Sequence, residues 1–187
     1  MASVTFPDGT WWMSGGKKGN IWLNSSMIYG VGRGPELPYP AKTHCTTLVN
    51  NTHVMLTGGE PAMNQQTNAS YILDWTTREW HQVQTMPVAI SFHSCFTLGH
   101  ATYAVGGSHF LKYSHSSGEW STLDLGFSIS TPETVVVDGR VLMTGILFPK
   151  EDRKMYEFDP ATEGWDLRME KLRGSRSNPH TLLAFEE

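Results

Sequence analysis

Three histidines and two cysteines are the residues whose types and spacing could bind a metal ion or form a disulfide. His44 and His93 precede two Gly-Gly pairs by 14 and 13 residues, and His180 lies near the end of the chain in the same phase. Three imidazoles brought together can bind zinc or copper. However, no acidic residue recurs in phase with them as a fourth ligand. We therefore predict that the histidines hydrogen-bond loop backbone, and that the chain carries no metal and no cofactor.

Cys45 and Cys95 lie close to His44 and His93 in the sequence. Two cysteines allow one disulfide at most, and a chain of 187 residues can bury a core without any disulfide. The sequence favours two small buried thiols.

Other catalytic signatures are absent from the sequence. There is no Gly-x-Ser-x-Gly elbow, no His-Glu-x-x-His motif and no phosphate loop. The run Gly30-Val31-Gly32-Arg33-Gly34 lacks the spacing of a dinucleotide-binding loop, and we interpret it as a flexible exit from a strand. We predict that the chain is not an enzyme.

The composition is that of a globular chain with no affinity for nucleic acid or membrane. Fourteen basic and eighteen acidic residues give a net charge of −4, and no basic run is longer than Lys17-Lys18. This balance of charges does not predict the positively charged surface that nucleic-acid binding needs. The apolar stretches are only a few residues long, which is too short to span a membrane.

The sequence contains an internal repeat, which predicts the strands that position these histidines and cysteines. Short apolar runs end in a Gly pair three times, and a fourth run keeps a single Gly. These glycines are Gly15, Gly16, Gly58, Gly59, Gly106, Gly107 and Gly145. An extended stretch and a tight turn precede each run, which predicts a β-hairpin.

After each run comes an octet that begins and ends with a large apolar residue. The four octets are Trp22 to Tyr29, Leu73 to Trp80, Tyr113 to Trp120 and Phe158 to Trp165. Turn-forming residues separate the two ends of three octets, which indicates a third and a fourth strand in each unit. We predict an all-β fold of four-stranded antiparallel units, with Trp80, Trp120 and Trp165 packed between neighbouring units.

The Gly pairs, the spaced aromatic residues and a period of 39 to 48 residues resemble the kelch repeat, one blade of a β-propeller. The resemblance covers the whole chain, as a single propeller region of residues 1–187. The units are roughly residues 1–42, 43–91, 92–131 and 132–178, and residues 179–187 begin a fifth unit. About four repeats that stop within a blade predict a partial propeller.

The resemblance implies a non-catalytic module that binds a protein or peptide through loops on one propeller face. Two loops between second and third strands are longer than their equivalents, at residues 60–68 and 147–153. Scaffolds of this kind place functional residues on such loops. We predict that partner binding uses Glu60, Asn64, Gln65, Gln66, Lys150, Glu151, Asp152 and Arg153.

The kelch resemblance also suggests an alternative, a carbohydrate-binding or copper-oxidase propeller similar to galactose oxidase. The chain offers histidines, cysteines and tryptophans for such a site, but no residue-by-residue match to that enzyme's copper ligands. The protein-binding module is therefore the favoured hypothesis.

Two further predictions concern the surface. Asn24, Asn50 and Asn68 each begin an Asn-x-Ser/Thr sequon, which makes them candidates for glycosylation and favours an extracellular protein, although location stays open. The open ends of a stack of blades would also expose unpaired backbone and apolar side chains, which favours self-association.

Overall fold

A computed structural model of the chain describes residues 1–148 and 152–169. Every regular element in this part of the chain is a β-strand. The strands are β1 (Ala2–Thr5), β2 (Trp11–Ser14), β3 (Lys17–Lys18), β4 (Ile21–Trp22), β5 (Ser26–Ile28), β6 (Gly32–Arg33), β7 (Cys45–Asn50), β8 (His53–Thr57), β9 (Ser70–Asp74), β10 (Glu79–Gln82), β11 (Ser94–Leu98), β12 (Ala101–Gly106), β13 (His109–Ser114), β14 (Glu119–Leu123), β15 (Ser128–Val137), β16 (Arg140–Phe148), β17 (Asp152–Asp159) and β18 (Gly164–Met169).

The strands form four antiparallel sheets of four strands, arranged as the blades of a β-propeller, and the predicted all-β fold is confirmed. Blade 1 has the strand order β1-β2-β5-β6, with β3 and β4 as a small separate hairpin. Blade 2 comprises β7 to β10, blade 3 β11 to β14, and blade 4 β15 to β18. In residues 1–148 and 152–169 we find no helix of the length and apolarity that a membrane crossing requires.

Three apolar cores lie between successive blades. The core between blades 1 and 2 contains Trp12 and Leu56, and the one between blades 2 and 3 contains Met55 and Leu111. An aromatic cluster joins blades 3 and 4, where Phe96 and Phe158 have ring centroids 5.5 Å apart. Blades 2 and 3 therefore use their two faces for different neighbours, as the alternation of side chains along a strand permits.

The tryptophans that close the repeat units lie at these cores, and two of them also donate hydrogen bonds between blades. Trp80 Nε1 donates to the Glu36 carbonyl oxygen at 2.7 Å, and Trp120 Nε1 donates to the Gln84 carbonyl oxygen at 3.0 Å. Trp165 packs against Phe96 and Phe110 without such a bond among the described residues.

The octet assignment in unit one is wrong. The third strand of blade 1 is β5, inside the segment from Trp22 to Tyr29, and Trp22 belongs to the small hairpin. Gly32 and Arg33 form the fourth strand β6, so the glycine-rich run is not a flexible exit. A Cβ on Gly34 would lie 2.5 Å from Ser26 Oγ and 2.8 Å from Trp12 Nε1, so Gly34 is confined by the blade.

The predicted loop at residues 147–153 is also largely strand. Leu147 pairs with Asp152 and Ile146 pairs with Arg153, so the extra residues of unit four lengthen the hairpin of β16 and β17. The added apolar residues Ile146 and Leu147 pair with β15, where Ile129 faces Leu147. The extra residues of unit four therefore extend the sheet of blade 4.

The prediction of two free thiols is wrong, because Cys45 and Cys95 form a disulfide. Cys45 begins the first strand of blade 2, and Cys95 lies near the start of the first strand of blade 3. The bond crosses between blades at their inner strands and closes a sequence separation of 50 residues. The disulfide therefore joins blades 2 and 3 covalently, in addition to the apolar core between them.

We expect Gly59→Ala to destabilise the chain by about 3 kcal/mol or more, from left-handed backbone strain and overpacking. Gly59 has a φ of 96°, and a Cβ there would lie 2.8 Å from the Lys42 carbonyl oxygen and 2.9 Å from His44 Cα. Gly164→Ala is the control, because its Cβ would meet only the Thr162 hydroxyl at 3.3 Å. Urea unfolding measures both variants, and equal midpoints would contradict the assigned role of Gly59.

Candidate functional site

The joints between blades are built from one repeated hydrogen bond. The second Gly of each pair donates its backbone N–H to a carbonyl oxygen in the segment that leads to the next blade. These bonds join Gly16 to Ala41 at 2.7 Å, Gly59 to Ile90 at 2.8 Å, and Gly107 to Ile129 at 2.8 Å. The same geometry at three joints brings the connecting segments together on the propeller face that holds the ends of the second strands.

A non-glycine residue with left-handed backbone follows each of those carbonyls by two positions. Thr43, Phe92 and Thr131 have φ values of 55°, 53° and 45°. Left-handed backbone is costly for bulky or β-branched residues and persists only where the surroundings enforce it. The joints therefore hold these three residues in a fixed orientation around the centre of the propeller.

His44 and His93 occupy equivalent positions directly after two of these residues. His44 Nε2 lies 3.0 Å from Ser14 Oγ, and His93 Nε2 lies 2.8 Å from Thr57 Oγ1. The predicted structural hydrogen bonds exist, but their partners are hydroxyl side chains of the preceding blade and not loop backbone. Each imidazole therefore connects the start of one blade to the end of a second strand in its neighbour.

Both histidines are neutral at physiological pH because they are buried. Burial lowers the pKa of His44 to about 3, with a smaller contribution from the amino terminus and His93, and lowers the pKa of His93 to about 4. The Nδ1 atom of each ring has no hydrogen-bond partner among the described residues. In a neutral ring protonated at Nε2, the unpartnered Nδ1 atom carries only a lone pair. In the cation, Nδ1 would carry a buried N–H without an acceptor.

The first strands of all four blades border a central cavity, which we call the hub pocket. It has two adjoining compartments of about 320 Å³ and 270 Å³. The residues that line both compartments are Met1, His44, His93, Pro132 and Glu133. The disulfide lies on the wall of the larger compartment, and Thr43, Phe92 and Thr131 border the smaller one.

The structure brings His44 and His93 to the same pocket, whereas His180 lies outside the described residues. Within residues 1–148 and 152–169, no three His, Cys, Asp or Glu side chains converge in a way that could hold a metal ion. Cys45 and Cys95 are joined to each other and offer no thiolate. The hub pocket therefore combines two neutral imidazoles with the carboxylate-bearing residue Glu133.

Phe92 is the residue of this site that the sequence reasoning missed. Its side chain is 51% exposed, although it lies between the hub pocket and a smaller recess lined by Ser91, Gly107 and Ile129. The equivalent positions in the other joints carry threonine. An aromatic side chain where the repeat otherwise has a small polar residue is the signal that could have identified it.

The predicted binding residues of the first long loop divide into two groups. Asn64, Gln65 and Gln66 are exposed, and the Gln66 amide donates to Ser91 Oγ at 2.8 Å, directly beside Phe92. Glu60 is different, because it is buried and forms a 2.7 Å ion pair with Lys42. Glu60 therefore stabilises the joint between blades 1 and 2 and is not a free contact residue.

The predicted binding residues of blade 4 are placed less fully. Lys150 and Glu151 lie outside the described residues, and Asp152 and Arg153 belong to strand β17. A contribution of these four residues to binding stays a prediction.

The three sequons differ in accessibility. Asn50 is exposed as the last residue of β7, directly before the turn to β8. Asn68 is half-buried, and its amide nitrogen donates to the Met86 carbonyl oxygen at 3.0 Å; the Asn24 amide nitrogen donates to Glu36 at 3.3 Å. Glycosylation modifies this nitrogen, so Asn50 is the most accessible of the three.

Four antiparallel blades around a hub pocket place the chain in the β-propeller class. Among solved structures it is similar to YjhT, with a TM-score of 0.71 and 12% sequence identity. The match covers 90% of this chain and 64% of YjhT, so this chain spans less than two thirds of that protein's length. At this identity the likeness shows the fold alone. No family model and no curated protein matches the sequence.

Proposed function

We propose that the chain is a kelch-type, non-catalytic recognition module that binds a protein or peptide on the propeller face around the hub pocket. The observation that supports this proposal most is the exposure of Phe92. This large aromatic side chain lies between two recesses, on a residue whose backbone is held in the left-handed region. Aromatic residues at the centre of an interface commonly dominate its binding energy.

The surroundings of Phe92 complete the proposed interface. The bond from Gln66 to Ser91 attaches the 60–68 loop to the residue before Phe92, and the exposed Asn64 and Gln65 can bond a partner's backbone. An apolar anchor surrounded by polar groups is the usual organisation of a protein interface. The hub pocket, with its neutral imidazoles, can accept a polar side chain beside the anchor.

A peptide library displayed on phage and selected against the immobilised chain tests this proposal. We expect selected peptides to lose affinity by about 30-fold or more for Phe92→Asn, as for removal of an interface hot spot. Asparagine removes the aromatic ring but tolerates left-handed backbone, so the free energy of unfolding should change little.

Val136→Asn is the matched control, since Val136 is 41% exposed and lies next to the turn at Asp138, at the opposite end of its blade. Its affinity for the same peptides should stay within about twofold of the parent chain, as expected for a position outside the interface. Peptides that bind Phe92→Asn as tightly as the parent chain would overturn the proposal.

A second candidate, carbohydrate binding, is favoured by the polar lining and the size of the hub pocket. Sugar hydroxyls can bond both to neutral imidazoles and to carboxylates. Direct calorimetric titration of the chain with a panel of monosaccharides distinguishes the two candidates. Sugar binding that is lost in Thr131→Asn but retained in Phe92→Asn would favour the sugar.

A further inference from the structure

The disulfide between Cys45 and Cys95 borders the hub pocket. Both cysteines line the larger compartment, which has a volume of about 320 Å³. Cys45 is half-buried, whereas Cys95 is only 8% exposed. A disulfide is reduced when a thiolate attacks one of its sulfur atoms, so the reaction depends on access to that atom. The compartment therefore offers a small thiol an approach to Cys45 from the centre of the propeller.

The repeat shows that a link at this place can be non-covalent. In register with the glycines that end the second strands, Cys45 corresponds to Ser94 of the next blade. Cys95 corresponds in the same way to Thr134. The Ser94 and Thr134 hydroxyl groups form a 2.7 Å hydrogen bond between blades 3 and 4. Blades 2 and 3 thus have a disulfide where the next pair of blades has a hydrogen bond, and we expect reduction to leave the blades assembled.

The disulfide also lies near the aromatic side chain of the proposed interface. The Phe92 backbone N–H donates to the Thr43 carbonyl oxygen at 3.1 Å. Phe92 precedes Cys95 by three residues, and Thr43 precedes Cys45 by two, so the hydrogen bond and the disulfide join the same two segments. These segments continue into β7 and β11, which belong to different sheets and share no β-ladder.

Both residues of that hydrogen bond have left-handed backbone, with φ values of 55° for Thr43 and 53° for Phe92. Such backbone is strained and persists only where its surroundings enforce it. The disulfide limits the separation of the two segments and so favours the strained arrangement. Without the disulfide, the Phe92 backbone is freer to relax and its hydrogen bond to Thr43 opens more often.

We propose that the disulfide is a reducible clamp that fixes Phe92, so that a small dithiol entering the hub pocket weakens partner binding. One dithiol thiolate attacks Cys45 Sγ, the S–S bond breaks, and the Cys95 sulfur leaves as a thiolate that takes up a proton. The second dithiol thiolate then attacks the mixed disulfide and releases the Cys45 thiolate, which is also protonated. The products are two cysteine thiols and the oxidised, cyclic dithiol. The effect on binding rests on the proposed function, whereas the effect on Phe92 does not.

Dithiothreitol added to the folded chain tests the reduction step. We expect alkylation and mass spectrometry to find Cys45 and Cys95 both modified, while the circular dichroism spectrum keeps its β-sheet signal. Cysteines that are reduced only in urea would overturn the proposal, because the disulfide would then be closed to thiols in the folded chain. Loss of the folded spectrum on reduction would also overturn it.

Backbone NMR relaxation measures the clamp at Phe92. Reduction should lower the order parameter of the Phe92 amide from about 0.85, typical of rigid backbone, to below about 0.6. The Gly107 amide is the internal control, because it bonds the Ile129 carbonyl oxygen at the joint between blades 3 and 4. Its order parameter should stay the same. An unchanged order parameter at Phe92, without added exchange broadening, would overturn the proposal.

Peptides selected on the oxidised chain measure the consequence for binding. If reduction leaves Phe92 correctly placed in about a tenth of the molecules, the apparent affinity falls about 10-fold. The control variant Cys45→Ser/Cys95→Thr copies the hydroxyl pair of Ser94 and Thr134, and its affinity should not respond to dithiothreitol. Unchanged affinity of the reduced parent chain would overturn the switch. Failure of the oxidised chain to bind any peptide would contradict the proposed function, while NMR relaxation still decides whether the clamp exists.

Discussion

Replacing both Cys45 and Cys95 with serine is expected to lower the free energy of unfolding by about 4 kcal/mol. The disulfide closes a sequence separation of 50 residues, and a cross-link over a loop of that size restricts the unfolded chain by about this amount. The effect is large because domains of this size are stabilised by only about 5–15 kcal/mol. Urea unfolding of the parent chain and the double serine variant measures it.

The same experiment with and without reductant separates the cross-link from the substitutions. A reducing agent should lower the midpoint of the parent chain and leave the double serine variant unchanged. Two free thiols, as the sequence suggested, would make the parent chain insensitive to reductant. That result would contradict a disulfide between Cys45 and Cys95.

Acidification from pH 7.5 to pH 5 is expected to remove about 2 kcal/mol of stability for each of His44 and His93. Burial lowers the folded-state pKa of these groups to about 3 and about 4, whereas an unfolded imidazole titrates near pH 6.5. Below about pH 6.5 the unfolded chain therefore binds protons that the folded chain does not. Stability is fully present above this pH and is lost as the pH falls towards the folded-state pKa values.

Urea unfolding at several pH values between 5 and 7.5 measures this loss. His93→Gln should lower stability at pH 7.5, because the bond to Thr57 is disturbed, but should remove the part of the pH dependence that His93 contributes. The same substitution at the exposed His81 should leave the pH profile unchanged. A parent chain equally stable at pH 5 and pH 7.5 would contradict the burial of neutral histidines at the hub.

The strand pattern was predictable from sequence because each blade repeats the same local signals. Gly pairs end second strands in blades 1 and 2, and Trp80 and Trp120 lie at the start of fourth strands. Blade 1 was misassigned because Trp22 and Tyr29 match the octet spacing while the third strand lies between them. In blade 4 the residues directly after Gly145 are apolar. Such a run favours a longer, paired strand over an exposed loop.

The site was less predictable, because it depends on how blades are staggered around the hub. Cys45 follows His44 directly, whereas Ser94 separates His93 from Cys95, so local spacing did not show that the two sulfur atoms meet. Glu60 has the charge of a surface residue, and only the approach of Lys42 from the preceding joint explains its burial. Phe92 is an apolar residue of a type that is usually buried, whereas the joint between blades 2 and 3 leaves it 51% exposed.

Photo-crosslinking from position 92 tests the proposed recognition face most directly. Phe92 is replaced with benzoylphenylalanine, a peptide selected on the parent chain is added, and crosslinked products are mapped by mass spectrometry after illumination. The same probe at Val136 provides the control at the opposite end of its blade. We expect the peptide to be joined to position 92 and not to position 136. Crosslinking at position 136 alone would contradict it.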